Sequence, residues 1–256
     1  DSGFENNSTE LDGGGISVLN GSLNMTRGAI RNNSADLDGG GLSIESAVVS
    51  LTEVSVSNNT ATEEGGGINV FGTGAQLRIF TSTIADNTAT NEGGGIRAVG
   101  VTLGLMDTTV SGNTTTLGGG GLFSDTSLVE IQNSLFANNT ASEDGGGISS
   151  NGFTGSLGIS NSTFSGNSTL LSGGAIFNAA AGGTSLVNAT VTANSAGTFG
   201  GGIRSTTLTN LGNTIVAKNT AVSDDFDVSG AYFSLGSNLI GRVDDAAGSF
   251  FGQNND

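Results

Sequence analysis

Three glycines followed at once by an aliphatic residue recur along this chain: LDGGGISV (11–18), LDGGGLSI (37–44), EEGGGINV (63–70), NEGGGIRA (91–98) and EDGGGISS (143–150). The aliphatic anchors are Ile16, Leu42, Ile68, Ile96, Leu122, Ile148, Ile176 and Ile203, spaced 26, 26, 28, 26, 26, 28 and 27 residues apart. A fixed period of this length marks a solenoid, in which each repeat buries its apolar face only by stacking on its neighbours.

Two further apolar series keep step with the anchors. One lies 12 residues before each anchor: Phe4, Ile30, Val56, Ile84, Val110, Phe136, Phe164 and Val191, continued by Val216. The other lies five residues earlier again: Met25, Leu51, Ile79, Leu105, Ile131, Ile159, Leu186 and Leu211. Around both, apolar and small polar residues alternate over four to six positions, the period of strands rather than helices. Each repeat thus offers three short strands. The expected fold is all-β: a right-handed parallel β-helix of about nine turns, three short strands and 26–28 residues per turn. The repeats span 1–221, and 222–256 reads as a terminal turn or cap of the same domain.

Three residues after each member of the first series stands an asparagine, always followed by Ser or Thr: Asn7, Asn33, Asn59, Asn87, Asn113, Asn139, Asn167, Asn194 and Asn219. Asparagine tolerates left-handed backbone, and its amides hydrogen-bond along a stack, so the row reads as a structural ladder at a corner. The glycines read as a second corner with positive φ and close wall-to-wall approach. Repeat length varies only between the first and second strands, at 71–76, 151–156 and 178–183. Insertions in solenoids gather on one face, so Phe71, Gln76, Asn151 and Phe153 mark a candidate binding rim for a glycan or other surface ligand; the alternative is simple tolerance of insertion at a surface loop.

The 256 residues include 45 glycines and no proline, cysteine, histidine or tryptophan. That removes thiol and imidazole chemistry, disulfides and His–metal sites. The formal charge of −16, with seven scattered basic residues, makes nucleic acid a poor partner. No apolar run is long enough for a membrane span. The chain opens inside a repeat, without Met, and reads as part of something longer; end-to-end self-association or further repeats are the expected partners, because an open solenoid end leaves backbone groups unpaired.

The phrases NSLFANNTASEDGGGI (133–148) and NSTFSGNS…GGAI (161–176) resemble the GG-aliphatic and Phe-x-x-Asn repeats of polymorphic outer-membrane-protein-like β-helices. The segment NTIVAKNTAVSDDFDVSGAYFSLGSNLIG (213–241) is similar to the end of the β-helix in bacterial choice-of-anchor surface proteins. The resemblance implies a secreted or cell-surface bacterial protein and no particular activity.

Four residues before the anchors stand Asp12, Asp38, Glu64, Glu92 and, further on, Asp144. Stacked carboxylates about 5 Å apart repel by roughly 1–3 kcal/mol unless solvent or cations relieve them. Oxygen-only ligands suit calcium, so the file is a candidate calcium row; the alternative is a solvated acidic edge that keeps the solenoid soluble. A carbohydrate-active enzyme would need an acid–base pair of carboxylates, or calcium with a basic residue. The candidate bases are Arg78, Arg97, Arg204 and Lys218, with Glu92 one corner from Arg97 and a tighter acidic group at 223–227. The leading expectation is a non-enzymatic stalk, adhesin or filament subunit.

Overall fold

Alternation sends every second side chain inward, and identical spacing sets the inward residues of successive turns on top of one another. The structure, a computed structural model, describes residues 2–223 and 226–242. It is a parallel β-solenoid of about nine turns, as the repeat requires. The anchors pair in unbroken register, Ile16 on Leu42, Leu42 on Ile68, and so on to Ile203 on Val228. The series from Phe4 is equally continuous and runs on through Val216 to Ile240. Its interior members, such as Ile30, Val56, Ile84 and Val110, are fully buried. Phe136 and Phe164 fill two successive turns and stack with ring centroids 5.1 Å apart.

Each turn adds a piece that alternation did not reveal. After the ladder asparagine a two-residue strand, such as Thr60–Ala61 or Thr88–Ala89, closes the turn in a separate nine-stranded sheet. At two residues it is too short to show a period. Past the last glycine corner, Val228–Gly236 pairs with Ile203–Gly212, and Leu239–Ile240 with Ile215–Val216. Residues 243–256 of the expected cap, and Asp224 and Asp225 of the acidic group at 223–227, lie outside the described residues.

The asparagine row forms a directional chain of hydrogen bonds. Asn59 Oδ1 accepts from both the backbone N–H and the side-chain amide of Asn33, each at 3.0 Å, and the Asn59 amide passes the pattern on to Asn87. The second amide hydrogen goes backwards, from Asn59 to the Ile30 carbonyl at 2.9 Å. The same bonds link Asn87, Asn113, Asn139, Asn167, Asn194 and Asn219. The row ends on Asp227, whose Oδ1 accepts from the backbone N–H and amide of Asn219 at 2.8 Å while Oδ2 accepts from the Arg242 N–H at 2.7 Å. A carboxylate has acceptors and no donor, so it closes a row whose donors point one way.

The ladder asparagines do not themselves take the left-handed conformation that the sequence reading gave them. The residues before them do: Asn6, Asn32, Asn58, Asp86 and Asn138 have φ between 55° and 58°. The ladder side chain must turn inward to be buried, and the preceding residue makes the corner. A second buried row lies two residues before the third strand's apolar residue. There Ser134 Oγ accepts from the Thr108 N–H at 3.2 Å, and Ser162 Oγ from the Ser134 N–H at 3.1 Å. This row was readable in the sequence as the recurrent Ser or Thr of the "STF" phrase.

The three corner glycines have different duties. The first is the left-handed one, as at Gly93 with φ 68°. The second permits close approach: a Cβ on Gly94 would lie 2.5 Å from the Thr114 carbonyl oxygen and 2.6 Å from that of Gly120. The third is also close, with a Cβ on Gly95 2.6 Å from the Gly121 carbonyl oxygen, yet the position admits a methyl: Ala175 occupies it in one turn and is fully buried there.

Candidate functional site

The solenoid presents two features with chemistry, the acidic edge beside the glycine corner and the rim between the first and second strands. On the edge, the carboxylates are occupied by the protein itself. Asp12 Oδ1 accepts from the Asp38 N–H at 3.1 Å, Asp38 Oδ1 from the Glu64 N–H at 3.0 Å, and Asp144 Oδ1 from the Ser172 N–H at 2.9 Å. Asp38 Oδ2 also accepts from the Asn69 amide at 3.0 Å.

Glu64 and Glu92 converge on Arg97, whose Nε lies 2.8 Å from the Glu64 carboxylate and 3.5 Å from that of Glu92. These are ion-pair contacts; the Nε–H is not aligned for a hydrogen bond with either. The glycine corner roofs this outer face of the first strand, so Arg97 and its equivalents Ser43 and Asn69 are covered. Relief of the stacked charge thus comes from backbone N–H groups and one guanidinium. Among the described residues no group of three or more acidic side chains gathers where it could hold a metal ion.

Burial raises the pKa of Asp38, Glu64 and Glu92 above the ordinary carboxylate range. For Glu64 and Glu92 the Arg97 charge is the first opposing influence; for Asp38 it is the Glu64 N–H. The native state then holds protons that the unfolded chain has lost, in the window between the ordinary and the raised values. Stability contributed by these protons is present below that window and is lost as pH rises through the folded values. Chemical denaturation in steps from pH 7 down to just above the ordinary carboxylate pKa should show a rising midpoint. The double variant Glu64→Gln/Glu92→Gln should flatten that rise, and Arg97→Gln should steepen it.

The rim holds a trough. The turns carrying 71–76 and 151–156 are two residues longer than the two between them, 28 residues against 26. Gln76, Thr102, Thr126, Leu128 and Thr154 line an open depression of about 370 Å³ over the shorter turns. This lies in the size range of ligand pockets. Of the expected rim residues, Gln76 lines the trough and Phe153, beside Thr154, stands 93% exposed. Phe71 and Asn151 end the first strands of their turns and are half-buried away from it. Thr102, Thr126 and Leu128 were missed, because they belong to turns without insertions; the signal was the shortness of those turns between two longer ones.

Fold and site together define a surface-faceted β-solenoid repeat protein. Three stretches, 53–70, 133–151 and 161–179, match the model of the Chlamydia polymorphic membrane protein repeat. Together with the parallel solenoid, these matches are consistent with a β-helix repeat protein similar to the polymorphic outer-membrane proteins. No curated protein and no solved structure matches it. Each matched stretch runs through the third strand, a ladder asparagine, the glycine corner and the first strand. Every residue lining the trough lies outside them. The matched stretches therefore cover scaffold.

Proposed function

We propose that this protein is a non-enzymatic structural and adhesive element of a bacterial cell surface, a stiff rod that presents its trough to a ligand. The observation that carries this reading is the continuity of the stack. The third-strand residues pair in register from Phe4 to Ile240, with a buried hydrogen-bonded ladder beside them. A solenoid of this kind resists bending because each turn is bonded to the next along its whole circumference. The surface location rests on the repeat family. The non-enzymatic reading is supported by Arg97, the candidate base one corner from Glu92, being committed to Glu64 and Glu92.

Beads coated with the protein, driven over immobilised polysaccharides and bacterial or host cell layers in a flow cell, should be retained above the level of bare beads. Retention equal to bare beads on every surface would overturn the adhesive reading. Release of new reducing ends from the polysaccharides would replace it with an enzymatic one.

A further inference from the structure

On the outer face of the second strands the trough continues into a notch. Thr102, Gly104 and Met106 point outward from one strand, Thr102–Met106, with the strands of Gln76–Phe80 and Leu128–Gln132 paired on either side. Gly104 stands between Arg78 and Glu130, its two register partners. Having no side chain, it leaves a notch of about 150 Å³ over an apolar floor of Phe80, Leu105 and Met106. Arg78 leans over Gly104 from one side, while the Glu130 carboxylate, from a strand two interstrand spacings away, about 10 Å, lies over Gly158 of the following strand. Arg31, Arg97 and Arg242 each meet a carboxylate or an aromatic ring, whereas Arg78 makes no ion pair or ring contact among the described residues.

We infer that trough and notch together form a binding site for a neutral oligosaccharide; this rests on the adhesive reading above and names its ligand. The chemistry of the walls selects the class. Arg78 only donates hydrogen bonds, Glu130 only accepts them, and Gln76, Thr102 and Gln132 do both. An anion meets Glu130 and a chain of net charge −16, and a cation meets Arg78. An apolar ligand would desolvate both charges without pairing either. A sugar chain answers all of these at once. Each of its hydroxyls donates and accepts, so successive units of a sugar chain satisfy the guanidinium in the notch and the carboxylate over Gly158, and a C–H face rests on Phe80 and Met106. The site is open rather than enclosed and continues from the notch to the rim, which suits successive units of a chain.

Gly104 gives a clean test. A Cβ built there comes no nearer than 4.0 Å to any neighbour, the closest being Arg78 Cγ, and the backbone is extended rather than left-handed. Gly104→Val therefore fills the notch without displacing the strand, and should fold with an unchanged or higher denaturation midpoint, since valine suits a strand better than glycine. Titration calorimetry would use glucose-, mannose-, galactose- and xylose-based hexasaccharides, with an oligouronate as the acidic control. At least one neutral probe should bind saturably and more tightly than the oligouronate. Gly104→Val should weaken that binding at least tenfold, and Arg78→Ala and Glu130→Gln should each weaken it as well.

Failure of every neutral probe to bind, preference for the oligouronate, or undiminished binding by Gly104→Val would overturn the inference. If beads are retained while any of these holds, the inference falls and the adhesive reading stands. If a neutral probe binds through the notch and beads are nowhere retained, the adhesive reading falls alone.

Discussion

Asn113→Asp is expected to lower stability by about 3–5 kcal/mol near neutral pH, the range for a buried charge left without its partners. Asn113 is fully buried, halfway along the ladder. Its amide donates to Asn139 Oδ1 at 2.9 Å and to the Ile84 carbonyl at 3.0 Å, while its Oδ1 accepts from the backbone and side chain of Asn87. Aspartate keeps the acceptor and loses both donors, so a carboxylate oxygen faces two acceptors in a dry stack. Burial favours the protonated form, which restores one donor. The folded pKa of the new group is therefore raised, and the loss of stability should shrink as pH falls through it. Urea denaturation at neutral and mildly acid pH reads both effects. Asn7→Asp serves as the control: Asn7 is exposed and, among the described residues, donates only to Asn33, so the change there should be small. An equal loss at Asn7 and Asn113 would show that the ladder's burial is not what matters.

Gly94→Ala is expected to remove about 3 kcal/mol, the upper part of the range for overpacking. The added methyl would sit 2.5 Å from one backbone oxygen of the next turn and 2.6 Å from another. Neither obstacle is a side chain that can change rotamer, so the turns must separate, and each turn's hydrogen bonds depend on that separation. Gly93→Ala should lose at least as much, because φ there is 68°, a conformation a side chain disfavours, and the added methyl would also press on the Ile96 carbonyl oxygen. Gly95→Ala should be the mildest of the three: its methyl would lie 2.6 Å from the Gly121 carbonyl oxygen, but the backbone there is not left-handed and Ala175 fills the equivalent position in another turn. Thermal or urea unfolding of the three single variants checks the order. Equal losses would mean that the triplet acts through chain flexibility alone.

The strands and their register were legible because a solenoid repeats its solution. An apolar residue at Ile84 has the same environment as those at Val56 and Val110, so the period alone assigns all three to one interior row. The ladder was legible in position and misread in conformation, because the residue that makes the corner and the residue that fills the core are adjacent and both are often asparagine, as at Asn58 and Asn59. The acidic file was legible as a column. Its partners were not: Asp38 meets the Glu64 N–H and the Asn69 amide, and Arg97 reaches back across a turn to Glu64. Those contacts depend on how far the corner folds over the first strand, which spacing does not report.

The rim shows the same division. Two longer turns were visible in the sequence, and they pointed to Gln76 and Phe153. The trough is made by the shorter turns that lie between them and the notch beside it by Gly104, and an absence of side chain acquires meaning only once its neighbours across the sheet are known. Sequence by itself determined the solenoid, its turns and its interior rows, because stacking identical spacings leaves one register that buries every apolar residue. The ends of the ladder, the partners of the carboxylates and the notch at Gly104 were decided by the tertiary structure alone, because each is set by residues one or two turns away that share no local pattern.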